Sequence, residues 1–337
     1  MALLFFTGFE NLTSRLTGLF NDINSDYNSV AGRHGGVAIY QNGWSGVRYL
    51  DMPINVIPGS STVIVGYAIY LPASDTSERM CEVTLTCAAG GNCFHIKRET
   101  TAPAGMTFAV YDSASVKITG SEFTVPSTET WVYIEAKAFC HSSAGTIEVR
   151  VDGTTVWSGS GLSILANGGL PDVFKLGTFK NGRYDDFYFC DDTGAEHNDF
   201  LGPVKITGHL PIADIATGFT PTGGSTHYTE VDETTFDTNT YVSATTGTGI
   251  TDTFTVQPIS LTGGEQIAAV RVNAIAKTTS AGAAPLSLLA NGQESASVLT
   301  TASDHIYSLL TTTSNGTNGW TESSFNSAAF GIKAAVE

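Results

Sequence analysis

Charged residues are scarce in this chain: 14% of its 337 residues, against about a quarter in an ordinary globular domain. The basic ones are scarcest. There are 16 lysines and arginines against 32 aspartates and glutamates, a net charge of −16. No basic cluster interrupts this, so partners with a phosphate backbone or an anionic bilayer surface are not expected. No apolar run approaches the ~18 residues of a membrane span. The opening MALLFFTGFENLTSRL has an apolar stretch with no basic region ahead of it and no small-residue cleavage site behind it. The expectation is therefore folding in a cytoplasm. Cysteine is sparse and odd in number: Cys81, Cys87, Cys93, Cys140 and Cys190, irregularly spaced and without a CxxC pair. Structural disulfides and a zinc centre are not expected, and buried free thiols are. There is no P-loop, no GxSxG and no GxGxxG after a strand, and the seven histidines form no HxxxH.

What is present is β-sequence. STVIVGYAIYLPA (61–73) is β-branched and aromatic. WVYIEAKAFC (131–140) alternates, with Val132, Ile134, Ala136 and Ala138 on one face and Trp131, Tyr133, Glu135 and Lys137 on the other. Asp152-Gly153 marks a tight hairpin turn, and Asn181-Gly182 suggests another between 174–180 and 183–192. Residues 106–125 alternate and turn at Asp112-Ser113. One helix is expected, in NLTSRLTGLFNDI, where Leu12, Leu16, Leu19, Phe20 and Ile23 share a face. Many short strands with regular turn signals predict an all-β chain of sandwich type. Composition then shifts. Thirteen of the 16 basic residues and all five cysteines precede residue 206. The Pro-, Gly- and Thr-rich stretch 205–231 reads as a linker. Two domains are expected, 1–205 and 206–337.

The stretch RYDDFYFCDDTGAEHNDFLG (183–202) is the richest in chemistry. Strand alternation places Asp185 and Asp186 on opposite faces, where they cannot work as an acid–base pair. Asp191, Asp192, Glu196, Asn198 and Asp199 offer oxygen ligands within one loop, the one candidate calcium site, although without EF-hand spacing. Asx turns and backbone capping account for the same residues. No catalytic constellation emerges, and the chain is expected not to be an enzyme and to need no cofactor.

Three segments, MALLFFTGFEN, WVYIEAKAFC with GTIEVRVDGTTVWSGSG, and YDDFYFCDDTGAEHNDFLGPVKI, resemble a concanavalin A-like (laminin-G-like) sandwich of tailed-bacteriophage virion proteins. The later HYTEVDETTFDTNTYVSATTG, IAAVRVNAIAKTTSAG and GWTESSFNSAAFGIKAAV are similar to a C-terminal module of such proteins. The resemblance implies an N-terminal jelly-roll sandwich followed by a second, smaller β-sandwich. In it Phe187 and Phe189 face the core, Asp185 and Asp186 sit at edges and turns, and NDFLG leads the chain out of the first domain. It also implies a structural protein of the virion, in the tail or its fibre or as capsid decoration. Its partners would be other virion proteins and further copies of itself, as a homo-oligomer and by analogy a trimer. The alternative is a carbohydrate-binding adhesin that grips a host-surface glycan. A glycan hydrolase or lyase is a third class, for which no paired-carboxylate motif speaks.

Overall fold

In the computed structural model the described residues are 3–10, 27–41, 49–53, 60–70, 82–87, 91–99, 106–125, 129–165, 169, 171–177, 182–234, 238–244, 249–279 and 284–335. The expected helix over 11–23 lies outside them. The chain is all-β and divides into two compact units, the first ending at Thr207 and the second continuing from Gly208.

The first unit contains β1 (Leu3–Thr7), β2 (Tyr27–Ala31), β3 (Val37–Gln41), β4 (Tyr49–Pro53), β5 (Thr62–Tyr70), β6 (Glu82–Cys87) and β7 (Gly91–Arg98). These are followed by β8 (Met106–Tyr111), β9 (Phe123–Val125), β10 (Trp131–Phe139), β11 (Gly145–Val151), β12 (Thr154–Leu162), β13 (Pro171–Gly177) and β14 (Arg183–Asp191). One sheet has the order β12-β11-β10-β5-β14-β3-β2, with β1 also paired to β14; the other runs β4-β13-β6-β7-β8-β9. All pairings are antiparallel. The Asp152-Gly153 turn joins β11 to β12, with φ of 48° and 79° at its two residues, the left-handed pair that a two-residue hairpin requires. The Asn181-Gly182 signal does not make a hairpin. β13 and β14 belong to different sheets, and residues 178–181 lie outside the described ones. A turn signal fixes a change of direction but not which edge the next strand joins.

The core lies between the sheets. Val63, Val65, Tyr67 and Ile69 of β5 face it with Val132, Ile134, Ala136 and Ala138 of β10, all buried. Phe187 and Phe189 are buried too, and the Phe187 ring lies 4.9 Å from Phe174 of the opposite sheet. Cys93, Cys140 and Cys190 are buried free thiols.

The second unit contains β15 (Pro211–Thr217), β16 (Thr220–Pro221), β17 (Val242–Ser243), β18 (Thr251–Val256), β19 (Val270–Ala276), β20 (Pro285–Ala290), β21 (Gln293–Glu294), β22 (Val298–Leu299), β23 (His305–Thr311) and β24 (Phe330–Ala334). A short helix, α1 (Glu322–Asn326), precedes β24. Its sheet runs β15-β18-β24-β20-β21, with β22 also on β20, and β19 and β23 form a separate ribbon. Trp320, Phe325 and Phe330 sit in one core cluster with Val270, Ala290 and Ala328. Thr321 caps α1 by accepting from Ser324 N, and the Ser324 hydroxyl accepts in return from Thr321 N, a reciprocal capping box.

Candidate functional site

The two outer faces of the first sandwich differ. On the eight-stranded sheet, Tyr133 and Glu135 alternate away from the core yet are fully buried. They are covered by residues 199–206, which cross the sheet as a strap. Lys137 pairs with Asp199 at 3.1 Å, and the Arg150 guanidinium lies 3.8 Å from the centre of the Phe200 ring. Leu201 N donates to the Tyr188 hydroxyl at 3.1 Å and Gly202 N to Glu135 Oε1 at 2.9 Å. Ile206 N donates to Asp186 Oδ1 at 2.8 Å. The stretch 183–202 thus closes the sheet and then folds back over it. Burial raises the Glu135 carboxyl above the usual carboxylate range.

Asp185 and Asp186 are not at edges or turns, as expected, but buried within β14. Nor do they point apart. Asp186 has φ of 48°, and the register slips between Asp185 and Tyr188. This bulge breaks the alternation, and both carboxylates reach Arg33: Asp185 Oδ2 accepts Arg33 N at 2.8 Å, and Asp186 Oδ2 accepts Arg33 Nη1 at 3.1 Å. Glu10 joins them by accepting Val37 N at 3.0 Å. Burial first, then the neighbouring carboxylates, push Glu10 and Asp185 up to about 7. Asp186 holds the strap through Ile206 N, and the cluster is engaged by backbone donors and by the Arg33 guanidinium.

The calcium candidates are dispersed among separate partners. Asp191 is buried, and its Oδ1 accepts from Thr193 N and Oγ1. Asp192 takes the Ser60 hydroxyl at 2.8 Å. Asn198 donates to Gly194 O at 2.9 Å. Asp199 takes Lys137 and Phe200 N, and Glu196 is exposed. Among the described residues no group of three or more such side chains could hold a metal ion.

The outer face of the six-stranded sheet carries a polar row. Leu85, Phe94 and Phe174 share the inner face, so their neighbours one residue along point outward. The register then sets Lys175 beside Thr84, Thr84 beside His95 and His95 beside Tyr111. Three strand steps make this row about 14 Å long. His95 is 4% exposed. Its Nδ1 lies 2.8 Å from Thr84 Oγ1 and its Nε2 3.1 Å from Ser115 Oγ, on the loop after β8. A neutral imidazole has one donor and one acceptor nitrogen, so one hydroxyl accepts from the ring and the other donates to it. The Tyr111 hydroxyl donates to Glu99, and the Lys97 ammonium stands 4.8 Å from the centre of the Tyr111 ring. Lys117 bridges Glu99 and Glu122 at 3.2 and 3.0 Å. In backbone register Glu82 is opposite Lys97 and Asp51 opposite Lys175, so the sheet carries both signs of charge. Imidazole, phenol and ammonium groups in one row bind hydroxyl-rich ligands and also hold and move protons. Sequence reading left His95 among scattered histidines, because its partners are 11, 16 and 20 residues away.

No family profile and no curated protein sequence matches the chain. Its fold is similar to those of solved structures. One is an endo-β-1,4-glucuronan lyase from the fungus Trichoderma reesei, 13% identical over 55% of this chain and 94% of that one, with a TM-score of 0.38. Another is domain 4 of AbnA, a GH43 extracellular arabinanase from Geobacillus stearothermophilus, in complex with arabinotriose: 13% identical, 56% and 92% covered, TM-score 0.36. A third is the galectin LEC-6 of Caenorhabditis elegans, 9% identical, 44% and 92% covered, TM-score 0.30. At these identities the likeness is one of fold. It corrects one expectation nonetheless. The chain was expected not to be an enzyme, because no catalytic motif appears in its sequence. The similar sandwiches include a polysaccharide lyase and a domain of a glycoside hydrolase, so that exclusion does not stand.

Proposed function

We propose that the first sandwich binds a carbohydrate chain along the outer face of its six-stranded sheet. The observation that carries this reading is the row Lys175–Thr84–His95–Tyr111, one residue from each of four adjacent strands. It combines hydroxyl, imidazole and ammonium donors with a half-buried aromatic ring, the mixture that recognises sugar hydroxyls and an apolar sugar face. The Glu99 carboxylate at the Tyr111 hydroxyl argues for a glycan read through hydroxyl groups rather than for a polyanion held by charge alone. Lys175→Ala and Tyr111→Phe each test it by calorimetry against polysaccharides selected on a glycan array. Affinity falls at least tenfold with an unchanged melting temperature if the row is the site. Unchanged affinity in both variants moves the site elsewhere, and absence of binding to any glycan overturns the reading. New reducing ends in the same mixtures show whether the bound chain is also cut.

The setting proposed is the particle of a tailed bacteriophage, with the sandwich displayed toward a host-surface glycan. The support for this is the resemblance of the three N-terminal segments and the 320–332 ending. Immunogold labelling of intact particles tests it. Label on the tail supports host contact, label on the head makes the protein a capsid decoration, and no label on any particle overturns the setting.

A further inference from the structure

We infer that the loop between β8 and β9 is a lid over this face, latched by the hydrogen bond between Ser115 and His95; the inference rests on the binding reading just given and adds its regulation. The tip, Asp112 to Lys117, is braced from within. Asp112 Oδ1 accepts from Ala114 N and Val116 N, both at 2.9 Å. Asp112 N donates to Val116 O at 2.9 Å, and Ser115 N to Asp112 O at 3.0 Å. Ser115 adopts φ of 59° to make the turn. A tip closed on itself in this way moves as one piece.

The base of the tip is fastened by the backbone, where Lys117 bridges Tyr111 and Ile118 N donates to Val110 O at 2.9 Å. Ala114, Ser115, Val116 and Lys117 are exposed, and Val116 keeps 60% of its surface in water. Among the described residues, the ties of its apex to the rest of the fold are polar. Ser115 Oγ meets His95 Nε2 at 3.1 Å and accepts from Asn92 Nδ2 at 3.3 Å. Ser113 N donates to Ser163 O at 3.1 Å, and the two hydroxyls lie 3.4 Å apart. The Lys117 pairs with Glu99 and Glu122 are solvent-accessible and contribute little. His95 is the reverse case. It stands in the middle of a polar outer face and is nearly inaccessible, and among the described residues the Ser115 hydroxyl is hydrogen-bonded to its Nε2. A hydroxyl on a tip without apolar anchoring is a replaceable partner. A sugar hydroxyl offers His95 the same hydrogen bond, so ligand and lid compete for one nitrogen. The closed form withholds the centre of the row, and a glycan that displaces Ser115 gains it.

The test is chemical accessibility of the imidazole, read separately from binding. Full-length protein and Ser115→Ala are treated with diethylpyrocarbonate at one pH. Modification of His95 is quantified by peptide mass spectrometry, with exposed His34 as internal reference. Loss of the latch raises His95 modification about fivefold, the population factor of one net hydrogen bond, with His34 unchanged. An equal rate in both proteins, with matching melting curves, overturns the lid. Calorimetry on the same pair keeps the two ideas apart. Tighter glycan binding by Ser115→Ala supports both lid and site. Raised His95 modification without binding by either protein keeps the lid and removes the glycan. Hydrogen exchange of the Ser113 amide, whose bond to Ser163 O runs from the tip to the sandwich, gives a second reading in the unmodified protein: protection as high as in β8 overturns the lid without any substitution.

Discussion

The ring of Tyr188 occupies the space that a side chain at Gly66 would need: a Cβ there would lie 2.2 Å from Tyr188 Cε1. The two residues are register partners on β14 and β5. The bare backbone of Gly66 lets the phenol lie across the sheet, stacked with Tyr133 at 6.4 Å, and reach Glu135 with its hydroxyl at 2.5 Å. Gly66→Ala forces that ring off its seat and should cost about 1–3 kcal/mol, the usual range for overpacking. Urea denaturation measures it. In a double-mutant cycle with Tyr188→Ala the penalty should shrink, because the clash has lost one partner.

Glu135 is the second anchor of the strap. It accepts from the Tyr188 hydroxyl and from Gly202 N, and its other oxygen has no hydrogen-bond partner among the described residues. Glu135→Ala removes both bonds and leaves two donors to be resolvated. The expected loss is about 2–3 kcal/mol, with faster proteolytic cleavage within 199–206. Glu135→Gln keeps an acceptor and removes a buried charge, so it should retain most of the stability and the protease resistance.

The Glu10–Asp185–Asp186 cluster makes stability depend on pH. Arg33 and His34 face it, with His34 Nε2 3.5 Å from Asp186. Glu10 rises from 4.5 and Asp185 from 3.8, each to about 7. Both bind protons more tightly in the folded chain. Their stabilising contribution is full below about pH 4 and is lost as pH rises through about 7. Glu10→Gln keeps the acceptor for Val37 N and cannot ionise. Glu10 is only partly buried, so the effect is screened. At pH 8 the variant should exceed the parent by about 1 kcal/mol, or about 2–4 °C in melting temperature, and the difference should narrow toward pH 4. An equal slope in both proteins assigns the pH dependence to other groups.

In the second unit, Asp252 is wholly buried between Phe219 N and His227 Nδ1, at 2.8 and 2.7 Å. Asp252→Ala orphans both donors and should cost about 2–3 kcal/mol. Asp252→Asn should cost less than half of that. Asparagine still accepts from Phe219 N, and the imidazole can change tautomer to accept from the new amide. Denaturant midpoints of the two variants decide this.

Local pattern settled much of this protein. Period-two alternation identified β10 and its inner face and Asp152-Gly153 its neighbouring hairpin, while the resemblance to a concanavalin A-like sandwich placed Phe187 and Phe189 inside. The alternation and the turn are properties of adjacent residues: side-chain direction along a strand and the sign of φ in a tight turn both follow from local geometry. The tertiary structure decided the rest. One residue of bulge at Asp186 turned two carboxylates expected to diverge onto the same arginine. Tyr133 and Glu135 occupy the solvent side of an alternating strand and are buried because a segment centred near Gly202, 67 residues after Glu135, lies over them. His95 acquires its setting from β6, β8 and a loop, none contiguous with it. Strand order and register set these neighbours. They are fixed by which edges pair after collapse, a global choice among many pairings that local propensity leaves nearly equal in energy.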